Sequence, residues 1–259
     1  MIPMPAGPAT ETYHDGDSTP IVTSISTVPV TVQRPVWTTH NQVHEAGIAR
    51  ANIAATEARP NGTTEDNYAK KHSHETVLQQ HVEFFDLNGD GVITPFETWV
   101  GFRLIGWNIF LTLVAVIVIH SGFSYVTQPS WIPDPLFRIY AKNIHKGKHG
   151  SDSNTYDHEG RFVPQSLEDF FSKYGSKRKV AGRSEGEWGM TYRQALMGVR
   201  GQMCVMDFFG VFAATFEWTA TYITIWPADG IMRMEDVRGC YDGSYFYKLR
   251  DSRDEKKLK

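Results

Sequence analysis

The chain has 259 residues, with 26 Lys and Arg against 29 Asp and Glu and a net charge of −3. That is room for one or two compact domains, and too balanced a charge for bulk electrostatic capture of nucleic acid. Aromatic residues make up 13%, which suits an apolar pocket or a membrane-facing surface, while Cys204 and Cys240 give neither a disulfide framework nor a zinc pattern and fit a reducing compartment.

Residues 1–36 are rich in Pro, Thr, Ser and Val and read as a disordered or extended tail, with no signal-peptide pattern. Alternating β-branched residues over 21–32 allow a short strand. Residues 43–58 are Ala-rich and predict a helix that ends at Pro60. Thr76 and Gln79 then form a capping-box pattern ahead of a helix on which Leu78, His81, Val82 and Phe85 share one apolar face. A histidine on such a face is either a satisfied core residue or a ligand, and spacing alone does not decide between them.

Residues 86–97 match a twelve-residue calcium loop of the EF-hand type. Asp86, Asn88 and Asp90 stand at positions 1, 3 and 5, and Gly91 at the sharp turn. Val92 offers its carbonyl at position 7. Thr94 at position 9 ligates directly or through water, and Glu97 at position 12 can bind with both oxygens.

Residues 98–126 follow as a long apolar run with no charged residue or histidine between 104 and 119. A spanning helix needs about 20 apolar residues, and the run reaches that length only if Asn108 and His120 are accommodated. A buried core helix is the alternative. Two features favour the membrane: every face is apolar, and Pro129, Pro133 and Pro135 follow at once beside Trp131, an interfacial type of residue. Arg138, Lys142, Lys146 and Lys148 then mark either a solvated helix end or a patch at lipid-headgroup level.

Residues 155–166 look like a second calcium loop that has lost its end carboxylates, with Thr155 first, Gly160 sixth and Ser166 last. Residues 225–236 are a third remnant, with Ile225 first and Gly230 sixth. Both could equally be ordinary turns. Residues 205–226 are rich in Phe, Trp and Tyr, but Asp207 and Glu217 favour amphipathic core helices over a second span. Residues 251–259 read as a frayed, charged tail.

The segments VLQQHVEFFDLNGDG and NIHKGKHGSDSNTYDHEGRF, separated by the apolar run and the proline cluster, resemble the caleosin family over residues 67–247. Its members are calcium-binding haem peroxygenases of lipid droplets and endoplasmic-reticulum membranes. The proline spacing departs from the double-proline plant form, and the resemblance is to a fungal-like member. The resemblance implies a mainly α fold: an EF-hand-type domain with paired degenerate loops, and a membrane-associated apolar helix ending in a proline knot. It implies a variable region over 1–66, the EF-hand and haem-ligand helix over 67–103, and the apolar segment and knot over 104–135. An α-rich region would cover 136–250 and the tail 251–259.

It also implies haem and Ca²⁺ as cofactors, although the covalent haem pattern CxxCH is absent and no spacing announces haem. The two haem histidines map to His81 and His149, with His145 the rival for the second role. His81 is expected as the axial ligand. His149 is expected as a displaceable ligand or a distal acid–base group whose neutral imidazole takes the hydroperoxide proton. The implied reaction uses organic hydroperoxides to epoxidise or hydroxylate unsaturated lipids. The implied setting is a droplet monolayer or microsomal membrane with most of the chain facing the cytosol, no nucleic acid, and room for a homo-oligomer. The alternatives are a non-catalytic calcium-binding tether of lipid droplets and a soluble calcium sensor.

Overall fold

The structure is a computed structural model that describes residues 12–13, 21–22, 43, 46–178 and 186–257. Strand β1 (Thr12–Tyr13) pairs antiparallel with β2 (Ile21–Val22); the rest of the predicted tail lies outside the described residues. The helix expected over 43–58 does not form in its described part. Distant donors take its carbonyls instead: Ala51 O accepts from Val77 N at 2.9 Å, and Asn52 O accepts from the Gln80 amide at 2.9 Å. Backbone groups satisfied this way do not need a helical ladder, and Ala54, Ala55 and Thr56 become part of the buried core.

After a 3₁₀ turn come α1 (Tyr68–Lys71) and α2 (Val77–Glu83). Thr76 caps α2 as its sequence predicts: its hydroxyl accepts from Gln79 N at 3.3 Å, while Gln79 Oε1 accepts from Thr76 N at 2.9 Å. The calcium-type loop carries β3 (Val92–Ile93), and Thr94 and Glu97 repeat the same reciprocal cap to start α3 (Pro95–Ile105). Gly101 lets the two flanking helices close, since a Cβ there would sit 2.4 Å from the Phe85 ring.

The apolar run is not continuous with α3. Gly106 ends α3 at φ 104°, a region that side chains resist, and Asn108 starts α4 (Ile109–Thr127) by accepting from Leu111 N. Nor are all faces of α4 equivalent. The buried side is its small and polar one, with Thr112, Ala115, His120, Ser124 and Thr127. Ile109, Phe110, Leu113, Val114 and Ile117 are exposed. His120 interrupts the run in sequence but is a strut in the fold: it donates Nδ1–H to Phe137 O (2.6 Å) and accepts at Nε2 from the Thr98 hydroxyl (2.8 Å).

Beyond α4 the prolines lie in an irregular turn organised by Asp134, whose carboxylate accepts from Leu136 N and Arg138 Nε. Trp131 at its tip is 91% exposed. Strand β4 (Ile139–Tyr140) returns to pair with β3 and leads into a 3₁₀ segment, Ala141–Gly147. Two of the four residues of the expected basic patch are paired internally, Arg138 with Asp134 (2.7 Å) and Lys148 with Asp152 (2.6 Å). Lys142 and Lys146 are exposed.

The C-terminal half comprises α5 (Pro164–Tyr174), β5 (Ser176–Arg178), β6 (Glu187–Thr191), α6 (Tyr192–Gly201) and α7 (Phe208–Ile225), followed by β7 (Ile231–Arg233), α8 (Met234–Tyr241) and α9 (Ser244–Lys257). Strands β5, β6 and β7 form an antiparallel sheet in which Met190 stands opposite Met232, both fully buried. A remnant loop therefore does pair, but with 187–191, a segment whose sequence gave no such signal. The remnant at 155–166 bridges instead from Phe162 to Arg50, and the calcium-type loop pairs with β4. The C-terminal residues expected to fray continue as helix to Lys257.

Candidate active site and calcium loop

The calcium-type loop is shaped by its own backbone. Asp86 Oδ1 accepts from Gly89 N (3.0 Å) and Asp90 N (3.2 Å), its Oδ2 accepts from Gly91 N (2.7 Å), and Asp90 Oδ1 accepts from Val92 N (2.8 Å). Gly91 at φ 77° makes the turn that brings these oxygens round. Glu97 is buried at the start of α3, facing back to Thr94. The resulting set of carboxylate, amide, carbonyl and hydroxyl oxygens fits a hard cation of the size of Ca²⁺.

A cavity of about 460 Å³ lies among α2, α4, α7, α8 and α9, and its walls are largely apolar, with Phe85, Phe102, Phe123 and Phe212 among them. His81 and His149 both line it, and His145 does not.

The two histidines differ in chemistry. His81 Nδ1 lies 2.7 Å from Cys240 O. A carbonyl can only accept, so Nδ1 carries the proton and Nε2 is the nitrogen left with a lone pair. Burial holds the ring below the usual histidine range, against the pull of the Cys240 carbonyl. Phe246 packs edge-on against the ring at 5.3 Å. Gly243 makes this approach possible: a Cβ there would fall 2.6 Å from Gln80 O and 3.2 Å from His81 Cα.

His149 uses both nitrogens. Nδ1 donates to Gly150 O at 2.6 Å and Nε2 to Glu217 Oε1 at 3.1 Å. Burial works against a charge here, but the Glu217 carboxylate, by hydrogen bond and by charge, outweighs it and raises the ring to about 9. The neutral imidazole expected from sequence is thus a protonated one at neutral pH, with its carboxylate partner on the same cavity wall. Glu217, Cys240 and Gly243 were not legible as site residues. Glu217 showed only as a polar break in an aromatic stretch, and the other two act through backbone atoms.

His81 with a lone pair, set in apolar walls, is a donor set that fits haem iron, and a backbone carbonyl on the second nitrogen is the usual way such a ligand is oriented.

A second polar cluster lies on the outer side of α2, where His72 Nδ1 is 2.5 Å from Glu83 Oε2 and 3.7 Å from Glu75 Oε2. Burial and the Glu83 charge raise Glu75 to about 7.

The family model described as "Caleosin related protein" matches residues 73–250. The chain is 37% identical over 234 residues to a "Peroxygenase" of Lilium longiflorum, covering 90% of this chain and 93% of that protein. It is 36% identical over 185 residues to "Probable peroxygenase 4" of Arabidopsis thaliana, covering 71% and 91%. A "Probable inactive peroxygenase-like protein" of Arabidopsis thaliana is 26% identical over 153 residues, covering 59% and 69%. These are plant proteins and lend no support to a fungal-like assignment. No solved structure matches.

Proposed function

The chain belongs to the caleosin family, and from that premise we propose a calcium-dependent haem peroxygenase of lipid droplets and the endoplasmic-reticulum membrane, most of it facing the cytosol. It is a hydroperoxide-dependent oxidoreductase. The observation that carries the finer reading is the pair of unlike histidines on one aromatic cavity.

His81 would hold the haem iron through Nε2, with Cys240 O fixing the ring and its tautomer. Haem, when bound, supplies the redox chemistry that splits the O–O bond and passes one oxygen to an alkene or C–H bond. His149 and Glu217 move the protons. The Glu217 carboxylate takes the proton of the entering hydroperoxide, and His149 Nε2–H gives one to the departing alkoxide oxygen. The proton on Glu217 then returns to Nε2 across 3.1 Å. The hydroperoxide leaves as an alcohol, and no reductase is needed. The aromatic walls exclude water and accept an acyl chain, which supports unsaturated lipids and lipid hydroperoxides as the substrate class.

Calcium would be held by Asp86, Asn88, Asp90, the Val92 carbonyl, Thr94 and Glu97. Asp86 lies five residues beyond His81 in sequence, and Glu97 is in the first turn of α3, which leads through Gly106 to α4. One ion thus bears on both the ligand helix and the apolar helix. The exposed apolar side of α4, long enough to enter a membrane, and Trp131 at the proline turn would contact lipid.

On haem-loaded protein, Glu217→Gln should leave the Soret band in place and lower hydroperoxide-dependent epoxidation by about 10²-fold or more. Unchanged turnover would remove Glu217 from the mechanism. A droplet tether without catalysis would bind calcium and lipid and show no Soret band.

A further inference from the structure

The turn between α6 and α7 carries an apolar surface that the proposed function leaves unused. Val205 is 92% exposed, Met206 78% and Phe208 76%, and Met203, Phe209 and Phe212 are exposed beside them. This is not a loose loop. Met206 sits at φ 59°, a left-handed conformation rare for a residue with a side chain. The turn is pinned from below: Cys204 N donates to Ser151 Oγ (2.9 Å), the Ser151 hydroxyl donates to Asp207 Oδ2 (2.8 Å), and Gly210 N donates to Asp207 Oδ1 (2.9 Å). Asp207, the one charged residue between 203 and 216, therefore turns its carboxylate inward. An ordered platform that holds large apolar side chains in the open is a contact surface.

Its position identifies the partner. Phe209 and Phe212 belong both to this surface and to the cavity wall. The cavity wall also includes Val118, Ser121 and Gly122 of α4. Ser121 is exposed and follows Leu113 and Ile117 at four-residue spacing, so it continues the outward apolar stripe of α4. The cavity wall thus reaches exposed residues at two places, on α4 and on the 203–212 turn.

We propose that residues 203–212 form a second lipid-contact surface, and that with the outer face of α4 they set the cavity mouth against the acyl layer, so that lipid hydroperoxides enter from the lipid and not from water. The two surfaces share the wall of one cavity, and this inference rests on the reading that the α4 face meets lipid and that the cavity is the reaction site. The occupant is a phospholipid or droplet surface; a second copy of the chain is the competing outcome.

Two measurements on the full chain test it. Cys204 is an exposed free thiol and Cys240 is buried, so an environment-sensitive dye on Cys204 reports the turn selectively. Adding phosphatidylcholine vesicles should shift its emission to the blue, and lipids brominated along the acyl chains should quench it. No shift in protein that floats with the vesicles would overturn the proposal. So would the same shift on self-association without lipid.

The second measurement uses Val205→Glu with Met206→Glu, neither of which lines the cavity. The double variant should turn over cumene hydroperoxide in water at the parent rate. It should lose about tenfold on a fatty-acid hydroperoxide embedded in vesicles, because carboxylates are excluded from the acyl layer. Equal rates on the embedded substrate, or equal losses on both, would overturn the portal. If the parent protein turns over neither hydroperoxide, the peroxygenase reading fails, while the Cys204 emission still reports on the surface.

Discussion

The calcium-type loop at 86–97 and the strand pair at 187–191 and 231–233 divide between them the two properties expected of paired calcium loops. The first has the ligand pattern and pairs with a plain strand, β4. The second has the pairing, Met190 against Met232, and no ligand set. Their turns remain alike: Gly91 sits at φ 77° and Gly230 at φ 73°, and Asp90 and Asp229 each accept from the backbone N–H two residues on. The ligand pattern and strand pairing are therefore separable in this chain. The pair is held across the strands by buried apolar side chains, Met190 and Met232.

That comparison can be broken from either side. Met232→Ala empties a fully buried position and should cost about 2–5 kcal/mol in denaturant unfolding. It should leave calcium affinity unchanged, and a parallel loss of calcium affinity would mean the two regions are one unit. The combination Asp86→Ala with Glu97→Gln should abolish calcorimetric Ca²⁺ binding and with it the ligand-induced stabilisation, about 2.7 kcal/mol at a hundredfold excess over Kd. Asp229→Ala should change neither. Gly91→Ala and Gly230→Ala meet no close atoms, so each should cost only the left-handed backbone term of about 1–2 kcal/mol. Only Gly91→Ala should weaken calcium binding.

The smallest effect concerns two buried glutamates. Glu97 faces the calcium loop, whereas Glu168 on α5 is enclosed with Oε2 lacking a hydrogen-bond partner, and burial raises it to about 8. Its native form holds the proton more tightly than the unfolded chain. Its contribution to stability is complete below the ordinary carboxyl value of 4.5 and is lost as pH rises through about 8. Thermal melts of Glu168→Gln should match the parent at pH 4 and exceed it by about 2–4 °C above pH 8. An equal difference at both pH values would show that the effect is packing and not ionisation.

The same contrast explains what could be read in the sequence. The calcium-type loop is local: six positions in twelve residues specify the pattern, and Gly91 makes the left-handed turn the pattern calls for. The cap at Thr76 and the apolar stripe with His81 are local too. What escaped was made by distant partners. The carbonyls of 51–52 are claimed by Val77 and Gln80, so propensity predicted a helix that tertiary bonds replaced. Asn108 and His120 counted against the apolar run, yet one caps α4 and the other ties it to Thr98 and Phe137. Glu217 is 68 residues from the histidine it charges. Strand β6 has no periodic signal of its own and is held by its pairing with β5 and β7.

The central claim is that His81, and not a neighbouring histidine, holds the haem that makes the chain a peroxygenase. His81→Val and His145→Val, purified side by side and scored for haem per protein by the Soret band and for hydroperoxide-dependent epoxidation of an unsaturated fatty acid, test it most directly. The account predicts that His145→Val keeps both, since His145 does not line the cavity, and that His81→Val loses both while remaining folded. Full haem and full activity in His81→Val would contradict it.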